Sequence, residues 1–227
     1  PQIIGLEKQL KKNISTLKKI FYFSNDYQIT DTVSAELVKL FANFWRYSTF
    51  AISNQIYLIS NLFGKSSNNI IDLMKYKYPR IKDISKPGLT AGPCLYKDTQ
   101  QLIASSKNLC EIGKAAIRIN EGLVYSLCDD AVKRSKNKKI IILGAAFKPN
   151  CDDFRDSLSF KIYKHLIRIT NKSITLVDPK VNHPKVSKNY KFKNFKDYFY
   201  IIATPHKEFD SLINKIPKQN QINIWDD

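Results

Sequence analysis

The chain has 227 residues, and 43% of them are hydrophobic, which is enough for one large core or two modest ones. Lys and Arg number 37 against 20 Asp and Glu, a formal charge of +17, but only six of these cations are arginine. Nucleic-acid recognition favours the bidentate fork of arginine. Lysines scattered along the chain therefore indicate solvated helix faces and argue against a nucleic-acid partner.

Four cysteines without a Cys-x-x-Cys pair indicate reduced thiols in a cytoplasmic protein rather than a disulfide framework or a zinc site. The longest uncharged run, residues 47–64, contains seven Ser, Thr, Asn and Gln side chains. These are too many polar groups for a lipid-facing span, but they suit a helix with one polar side. No membrane partner is predicted.

Residues 1–134 are predicted to form a helical domain. From Thr32 to Phe63 apolar residues recur at helical spacing without proline or glycine, so we expect one long helix that ends at Gly64. Residues 78–94 concentrate three prolines and two glycines and are predicted to form a loop.

Helical patterning returns between Lys97 and Arg134, with breaks expected near Gly113 and Gly122. The period then changes after a polar boundary at 135–139. Strand-like runs at 140–144, 173–179 and 198–206 enclose a helical run at 157–169. Strands that alternate with helices indicate a parallel sheet. We therefore predict an α/β chain, with a helical central domain followed by a small Rossmann-like parallel α/β domain at 135–227.

Lys39 and Asn43 lie four residues apart, so they project from the same face of the long helix. An exposed polar stripe is the simplest interpretation of this spacing. However, four neighbours of Asn43 predict that this stretch is buried: Phe41, Ala42, Phe44 and Trp45. An ammonium and an amide in a buried stretch need a polar partner, such as the oxyanion of a ligand.

Cys94 follows Pro93, which is a favourable first helical residue. We therefore expect Cys94 in the first turn of a helix, where the helix dipole favours a thiolate. Asp98 shares its face four residues later. A thiolate beside a carboxylate suits covalent catalysis through a hydrolysable thioester. A single cysteine of this kind is also typical of a small, packed hydrophobic side chain.

Residues 143–157 combine a strand that ends at Gly144 with two cations, Lys148 and Arg155, and three aspartates. The acids, Asp152, Asp153 and Asp156, suit the positive end of the next helix. Alternatively, the two cations face the phosphates of a nucleotide at the strand ends. No metal site is predicted, and no role is assigned to the isolated His165, His183 and His206.

These three patterns, in this order, resemble the nucleotide-sugar 6-dehydrogenases, the family of UDP-glucose and UDP-N-acetylmannosamine dehydrogenases. The matching runs are AELVKLFAN at 35–43, PGLTAGPCLYKD at 87–98 and LGAAFKPNCDDFRDS at 143–157, supported by LVDP at 176–179 and IIATPHKEF at 201–209. Together they span nearly the whole chain. The variant AGPCLYKD, preceded by YPRI, is similar to the bacterial and archaeal branch that makes polysaccharide precursors.

The resemblance implies an NAD-dependent oxidation of the sugar C6 alcohol to a carboxylate in two steps. Cys94 matches the nucleophile that forms a thiohemiacetal and then a thioester. Lys39 and Asn43 match the donors that stabilise the oxyanion, and Asp98 matches the carboxylate that positions water for hydrolysis. These roles agree with the chemistry of the side chains.

The resemblance also implies the substrate and cofactor contacts. Substrate-binding positions are Arg80, Gly88, Leu89, Gly92 and Lys148, whereas Arg155 contacts the cofactor phosphates. A UDP-sugar is the implied substrate, NAD the cofactor, and a homodimer through the long central helix the implied assembly. The sugar itself is left open among glucose, N-acetylglucosamine and N-acetylmannosamine derivatives.

The chain departs from the family pattern in one large respect. The family begins with a Rossmann domain that bears a Gly-rich dinucleotide fingerprint, and this sequence contains none. PQIIG at residues 1–5 is similar to the family's junction after that domain. We therefore expect a partial enzyme that cannot turn over alone. The alternative is a non-catalytic UDP-sugar-binding remnant, or a subunit completed in trans by an NAD-binding domain.

Overall fold

A computed structural model describes residues 2–7, 14–20, 26–90, 92–107, 109–192 and 194–226. Pro1 of the junction motif and Ala91 of the predicted loop lie outside this set. Among the described residues, the first part of the chain contains two short strands and five α-helices: β1 (Gln2–Gly5), α1 (Ile14–Ile20), β2 (Tyr27–Thr30), α2 (Thr32–Leu62), α3 (Ser67–Lys75), α4 (Leu95–Ser105) and α5 (Glu111–Ser135). The second part forms β3 (Lys139–Leu143), α6 (Leu158–Ile169), β4 (Ile174–Val177), β5 (Val186–Ser187), β6 (Tyr198–Ile202), α7 (Asp210–Ile213) and β7 (Gln221–Ile222).

The long helix α2 confirms the prediction from periodicity. It begins after Asp31, whose side chain accepts a hydrogen bond from the backbone N–H of Ser34 at 2.9 Å. It runs for 31 residues and ends before Phe63, and Gly64 follows in the left-handed conformation at φ +61°. Helices α4 and α5 both pack against it, so α2 is the central helix of the helical layer.

Helix α5 differs from the expectation, because it continues through both glycines at which breaks were predicted. The actual break lies between Ser105, where α4 ends, and Glu111, where α5 begins. A Cβ on Gly113 would lie 2.7 Å from Cys110 Sγ, so this glycine serves a close approach of the turn to the helix. Gly122 has open space around it. A single glycine in a packed helix costs only about 1 kcal/mol, which the packing of a 25-residue helix offsets.

The sheet of the second part confirms the Rossmann-like prediction. Five parallel strands lie in the order β5-β4-β3-β6-β7, with β3 at the centre. Along β3 the side chains alternate: Ile140 and Ile142 face α5 and α6, whereas Ile141 and Leu143 face the opposite cluster around Phe209. The two-residue strands β5 and β7 were not predicted.

A second, two-stranded parallel sheet was also missed. Strand β1 pairs with β2 in register from Gln2 opposite Tyr27 to Gly5 opposite Thr30. Four residues in each strand are too few to establish a periodicity of two, so the sequence carried little signal for them.

One hydrophobic core joins the helical and the sheet parts. Its buried members include Tyr57 of α2, Leu123 and Leu127 of α5, and Ile140 and Ile142 of β3. Helix α5 ends at Ser135, next to the boundary predicted between 1–134 and 135–227. Because both parts contribute to the same core, we keep this division into two domains as a proposal.

Asp178, at the carboxyl end of β4, is fully buried and organises the loops at this edge of the sheet. Its oxygens accept hydrogen bonds from four backbone N–H groups at 2.7–3.1 Å: those of Ala145, Ala146, Lys180 and Val181. Burial raises the pKa of the Asp178 carboxyl, but the hydrogen bonds from His206 and from these N–H groups outweigh it. The net pKa lies well below its ordinary value.

His206, for which no role was predicted, is the fifth partner of this carboxylate. It is fully buried, and its Nε2 lies 2.8 Å from Asp178 Oδ2. Its Nδ1 accepts a hydrogen bond from the backbone N–H of Asn150 at 3.0 Å, so the ring proton is on Nε2. The pair therefore joins the end of β4 to the loop that carries Lys148.

Replacing Asp178 by Asn is expected to cost about 2–6 kcal/mol of unfolding free energy near pH 7, because the amide nitrogen would face at least two buried N–H donors, and each donor left unsatisfied costs about 1–3 kcal/mol. The folded pKa is depressed below the unfolded value of about 3.9. The carboxylate's contribution is therefore complete above that pH and is lost as the pH falls below it. The difference between wild type and Asp178→Asn, measured by urea titration, should narrow between about pH 6 and pH 3.

The matched control is Asp72→Asn, which changes an exposed carboxylate on α3. It should have nearly the unfolding free energy of the wild type at both pH values. If the unfolding free energies of wild type and Asp178→Asn differed by the same amount at pH 6 and at pH 3, this account of the carboxylate would be wrong.

Candidate active site

The centre of the candidate site is a carboxylate held between α2 and α4. Asp98, whose side chain is 1% exposed, accepts a hydrogen bond from Asn43 Nδ2 at 2.6 Å. Lys39 Nζ lies 3.1 Å from the same oxygen, Oδ2. The two donors come from one face of α2, as their spacing predicted. Their polar partner in this structure is Asp98.

The ionisation of Asp98 follows from these contacts. Burial raises the pKa of the carboxyl, but the Asn43 hydrogen bond and the Lys39 ammonium lower it by more, so the net pKa lies below its ordinary value. Asp98 is therefore a carboxylate near neutral pH. The Lys39 side chain is 65% exposed, so the pair is open to solvent on the lysine side.

The prediction that this stretch of α2 is buried is wrong. Phe41 is 50% exposed and Trp45 is 68% exposed, and Ala42 is exposed as well. These side chains turn away from the helical layer, whereas Lys39 and Asn43 reach α4. The apolar pattern around Asn43 was real, but it belongs to an outer face of the helix.

Cys94 lies one turn before Asp98, at the N-terminus of α4. The helix begins at Leu95 rather than at Pro93, and Cys94 is its N-cap residue. The carbonyl of Cys94 accepts a hydrogen bond from the Asp98 N–H at 2.8 Å. Cys94 is exposed, so it is not a packed hydrophobic side chain. The thiol thus lies at the positive end of the α4 dipole.

The loop before Cys94 packs tightly against the second part of the chain. Gly92 is buried at φ +109°, and a Cβ there would lie 2.8 Å from the ring of Phe147. Both the conformation and the close approach require glycine. A Cβ on Gly88 would lie 2.5 Å from the ring of Trp225. Phe147 and Trp225 are contacts that the sequence analysis missed, although the glycines facing them had been noted.

Two of the predicted substrate-binding positions in this loop are buried. Gly88 is covered by Trp225, and Leu89 is only 5% exposed within the main core. The Leu89 side chain therefore supports the loop from inside. A role for these positions in binding remains a prediction, and it concerns the loop backbone.

The loop at 143–157 places Arg155 beside Asp153. Arg155 forms a bidentate pair with the Asp153 carboxylate at 2.7–3.2 Å. The hydrogen bonds from Arg155 lower the pKa of Asp153 to about 2, and those to Asp153 raise the pKa of Arg155, with a smaller contribution from Cys94. Helix α6 is capped by Ser157, so its N-cap is a serine rather than one of the acids.

The two remaining predicted cations are exposed. Lys148 lies next in sequence to the Phe147 that contacts Gly92, and its Nζ is 5.4 Å from the centre of the Phe147 ring. Arg80 belongs to the 3₁₀ turn Pro79–Ile81. In the described parts of the chain, no hydrogen bond or ion pair links Arg80 to the Asp98 cluster, which consists of Asp98, Asn43 and Lys39. The structure thus brings Lys39, Asn43, Cys94 and Asp98 together, with Gly92 in the loop just before Cys94.

Two negative findings apply to the residues that the structure covers. No group of three or more His, Cys, Asp or Glu side chains is arranged to hold a metal ion. None of the described helices combines the length and the apolar character needed to cross a membrane.

Comparison with protein families matches both parts of the chain. Residues 33–122 match the central domain of the UDP-glucose/GDP-mannose dehydrogenase family, and residues 141–224 match the UDP binding domain of the same family.

Curated relatives and solved structures agree with these matches. The UDP-N-acetyl-D-mannosamine dehydrogenase of Pyrococcus horikoshii is 31% identical over 221 residues, which is 93% of this chain and 51% of that protein. The enzyme of the same name from Methanococcus vannielii is 27% identical and covers 88% of this chain and 48% of its own length. The structure of the UDP-N-acetyl-mannosamine dehydrogenase from S. aureus superposes with a TM-score of 0.77 at 26% identity, covering 94% of this chain and 53% of that one.

The chain spans about half the length of the relatives it matches. Within that half, the family motifs, the parallel sheet and the cluster around Asp98 occur together. The chain belongs to the UDP-glucose/GDP-mannose dehydrogenase family.

Proposed function

We propose that this chain forms the substrate-holding and acyl-transfer part of an enzyme that oxidises the C6 alcohol of a UDP-sugar to the uronate, for the synthesis of polysaccharide precursors. The observation that supports this most directly is the exposed Cys94 at a helix N-terminus, one turn from a carboxylate that Lys39 and Asn43 hold. The names of the relatives, UDP-N-acetyl-D-mannosamine dehydrogenases, support a UDP-sugar as the substrate.

In this proposal Cys94 attacks the C6 aldehyde and forms a thiohemiacetal. The helix N-terminus stabilises its thiolate. Lys39 and Asn43 then donate to the developing oxyanion. Each can do so without releasing Asp98, because an ammonium has three N–H donors and an amide has two, and each uses one here.

The second role of the cluster is hydrolysis of the thioester that follows. Asp98 stays ionised because its pKa is lowered, so it can accept a proton from a water molecule near Cys94. Water then adds to the thioester carbonyl, the C–S bond breaks, and the sugar carboxylate and the free thiol are the products.

Oxidation of an alcohol to a carboxylate removes two hydrides, which NAD would accept when bound. The described residues do not by themselves form a site for it. The first turn after β3 is where a Rossmann sheet binds a pyrophosphate, but here the N–H groups of Ala145 and Ala146 are taken by Asp178. Arg155 is the one residue that we assign to the cofactor phosphates. We therefore propose that this chain is inactive by itself.

A second candidate function is that of a UDP-sugar-binding subunit that a separate NAD-binding domain completes in trans. The specific observation in its favour concerns two sites. Lys39 and Asn43 already hold Asp98 one turn from Cys94, whereas the Ala145 N–H after β3 is bound to Asp178 and is not free for a dinucleotide phosphate. The two candidates share the same substrate site and differ in where NAD binds.

The first test is calorimetric titration with UDP, UDP-glucose and UDP-N-acetylmannosamine. We expect at least one sugar nucleotide to bind. Lys148→Ala should weaken it about tenfold or more, because a hydrogen bond to a charged group contributes about 1.5–3 kcal/mol. Lys65→Ala, which removes the same charge from an exposed turn after α2, is the matched control and should bind like the wild type. A folded wild-type chain that binds none of the three would contradict the proposed substrate site.

The second test concerns the homodimer, which we propose to form through α2. Its exposed apolar residues recur seven positions apart and form one stripe: Val38, Trp45, Ile52 and Ile59. Trp45→Glu should weaken the dimer about thirtyfold or more, since truncating a central aromatic costs about 2 kcal/mol or more. Sedimentation equilibrium measures this, with Ile167→Glu on the exposed face of α6 as the control. A Trp45→Glu chain that associates like the control would exclude α2 as the interface.

A further inference from the structure

Two fully buried asparagines meet beneath the loop that leads to Cys94. Asn54 of α2 accepts a hydrogen bond from the Gly88 N–H at 2.9 Å and donates one to the Gly88 carbonyl at 3.1 Å. The second N–H of the Asn54 amide donates a hydrogen bond to Asn120 Oδ1 at 2.9 Å. Asn120 of α5 in turn donates to the Tyr47 carbonyl at 3.0 Å. The amide of Asn54 thus pairs with both backbone groups of Gly88, as a neighbouring strand would.

Packing alone does not account for an asparagine at this position. Asparagine is a poor helix former, and burying its amide is unfavourable unless every polar atom finds a partner. The backbone of a buried loop has the same need, because no strand pairs with it. Asn54 satisfies both needs at once, and Ser53 extends the contact by donating to the Ser85 carbonyl at 2.7 Å.

The anchored segment leads directly to the thiol. Leu89, Thr90 and Gly92, the described residues between Gly88 and Pro93, are all buried. Beyond Cys94, helix α4 is tied back to α2 through Asp98 and Asn43. Asn43 and Asn54 are eleven residues apart, about 16 Å along one helix. A single rigid element therefore holds the segment with Cys94 at both ends.

We propose that Asn54 is a positioning residue for Cys94: its amide, oriented by Asn120, fixes the loop at Gly88 and so holds the thiol at the N-terminus of α4. This inference rests on the proposed function, which assigns Cys94 as the nucleophile. It adds two residues that touch neither the thiol nor the Asp98 cluster and that no motif had indicated.

The test is Asn54→Asp, which keeps the size of the side chain and the acceptor for the Gly88 N–H but removes both donors. The Gly88 carbonyl then keeps only the long hydrogen bond from Thr90 Oγ1 at 3.5 Å, and a carboxylate oxygen faces Asn120 Oδ1. Iodoacetamide alkylation of each cysteine is followed by mass spectrometry, with the partly exposed thiols Cys110 and Cys151 as internal references. The Cys94 rate relative to these references should fall about two- to fivefold, the size of a helix-terminus effect on a charge.

Asn61→Asp is the matched control, because it makes the same change on the same helix at an exposed position away from the loop. It should leave the Cys94 ratio unchanged. An Asn54→Asp ratio equal to the control, or higher, would overturn the proposal. No sugar nucleotide is present in these reactions, so a failure of substrate binding counts against the proposed function alone.

Cys128, which is fully buried, reports whether Asn54→Asp remains folded. If Cys128 becomes reactive, Asn54→Asp is not folded, and the proposal is tested instead by amide hydrogen exchange on the wild-type chain. The Gly88 amide should then exchange about as slowly as the Ile142 amide in the central strand. Exchange about a hundredfold faster at Gly88 would mean that the loop opens on its own, and the proposal would be wrong.

Discussion

The hydrogen bond and ion pair that Asp98 accepts from Asn43 and Lys39 are the interactions on which the site depends. A buried carboxylate is costly unless it is paired, so this contact both fixes α4 against α2 and keeps Asp98 ionised. Since Cys94 is the N-cap residue of α4, the same contact sets the position of the thiol relative to Asp98. Because the Lys39 side chain is mostly exposed, the cluster is closed on the protein side and open on the other, which is the side from which a ligand can reach the thiol.

The chain uses two buried carboxylates in opposite ways. Asp98 has an ammonium and an amide as partners and lies at the edge of the helical layer. Asp178 accepts from four backbone N–H groups and from His206, all enclosed within the fold. It fills the turn at which a Rossmann sheet usually holds phosphates. A Rossmann-like sheet here therefore does not by itself imply dinucleotide binding, and the functional argument depends on the residues at the site.

Helix α2 could be predicted from the sequence because its periodicity extends over 31 residues, and strands β3 and β6 because each is largely a continuous run of β-branched or aromatic residues. The short strands β1, β2, β5 and β7 could not. Spacing and family resemblance identified Lys39, Asn43, Cys94 and Asp98, but the Asn43–Asp98 contact joins residues 55 positions apart, which no local pattern reveals. Periodicity also could not tell a core face from an outer one, so the burial predicted around Phe41 and Trp45 was wrong.

The close packing of Gly92 against the Phe147 ring has a consequence for how a ligand would bind. This contact, the packing of Trp225 on Gly88 and the shared core around Leu123 all cross between the helical and the sheet parts. Separating the two parts would expose all of these surfaces at once, so these contacts oppose a hinge motion between them. Under the proposed function, a sugar nucleotide would meet walls that are already shaped, and the loss of conformational freedom on binding would fall on the ligand more than on the protein.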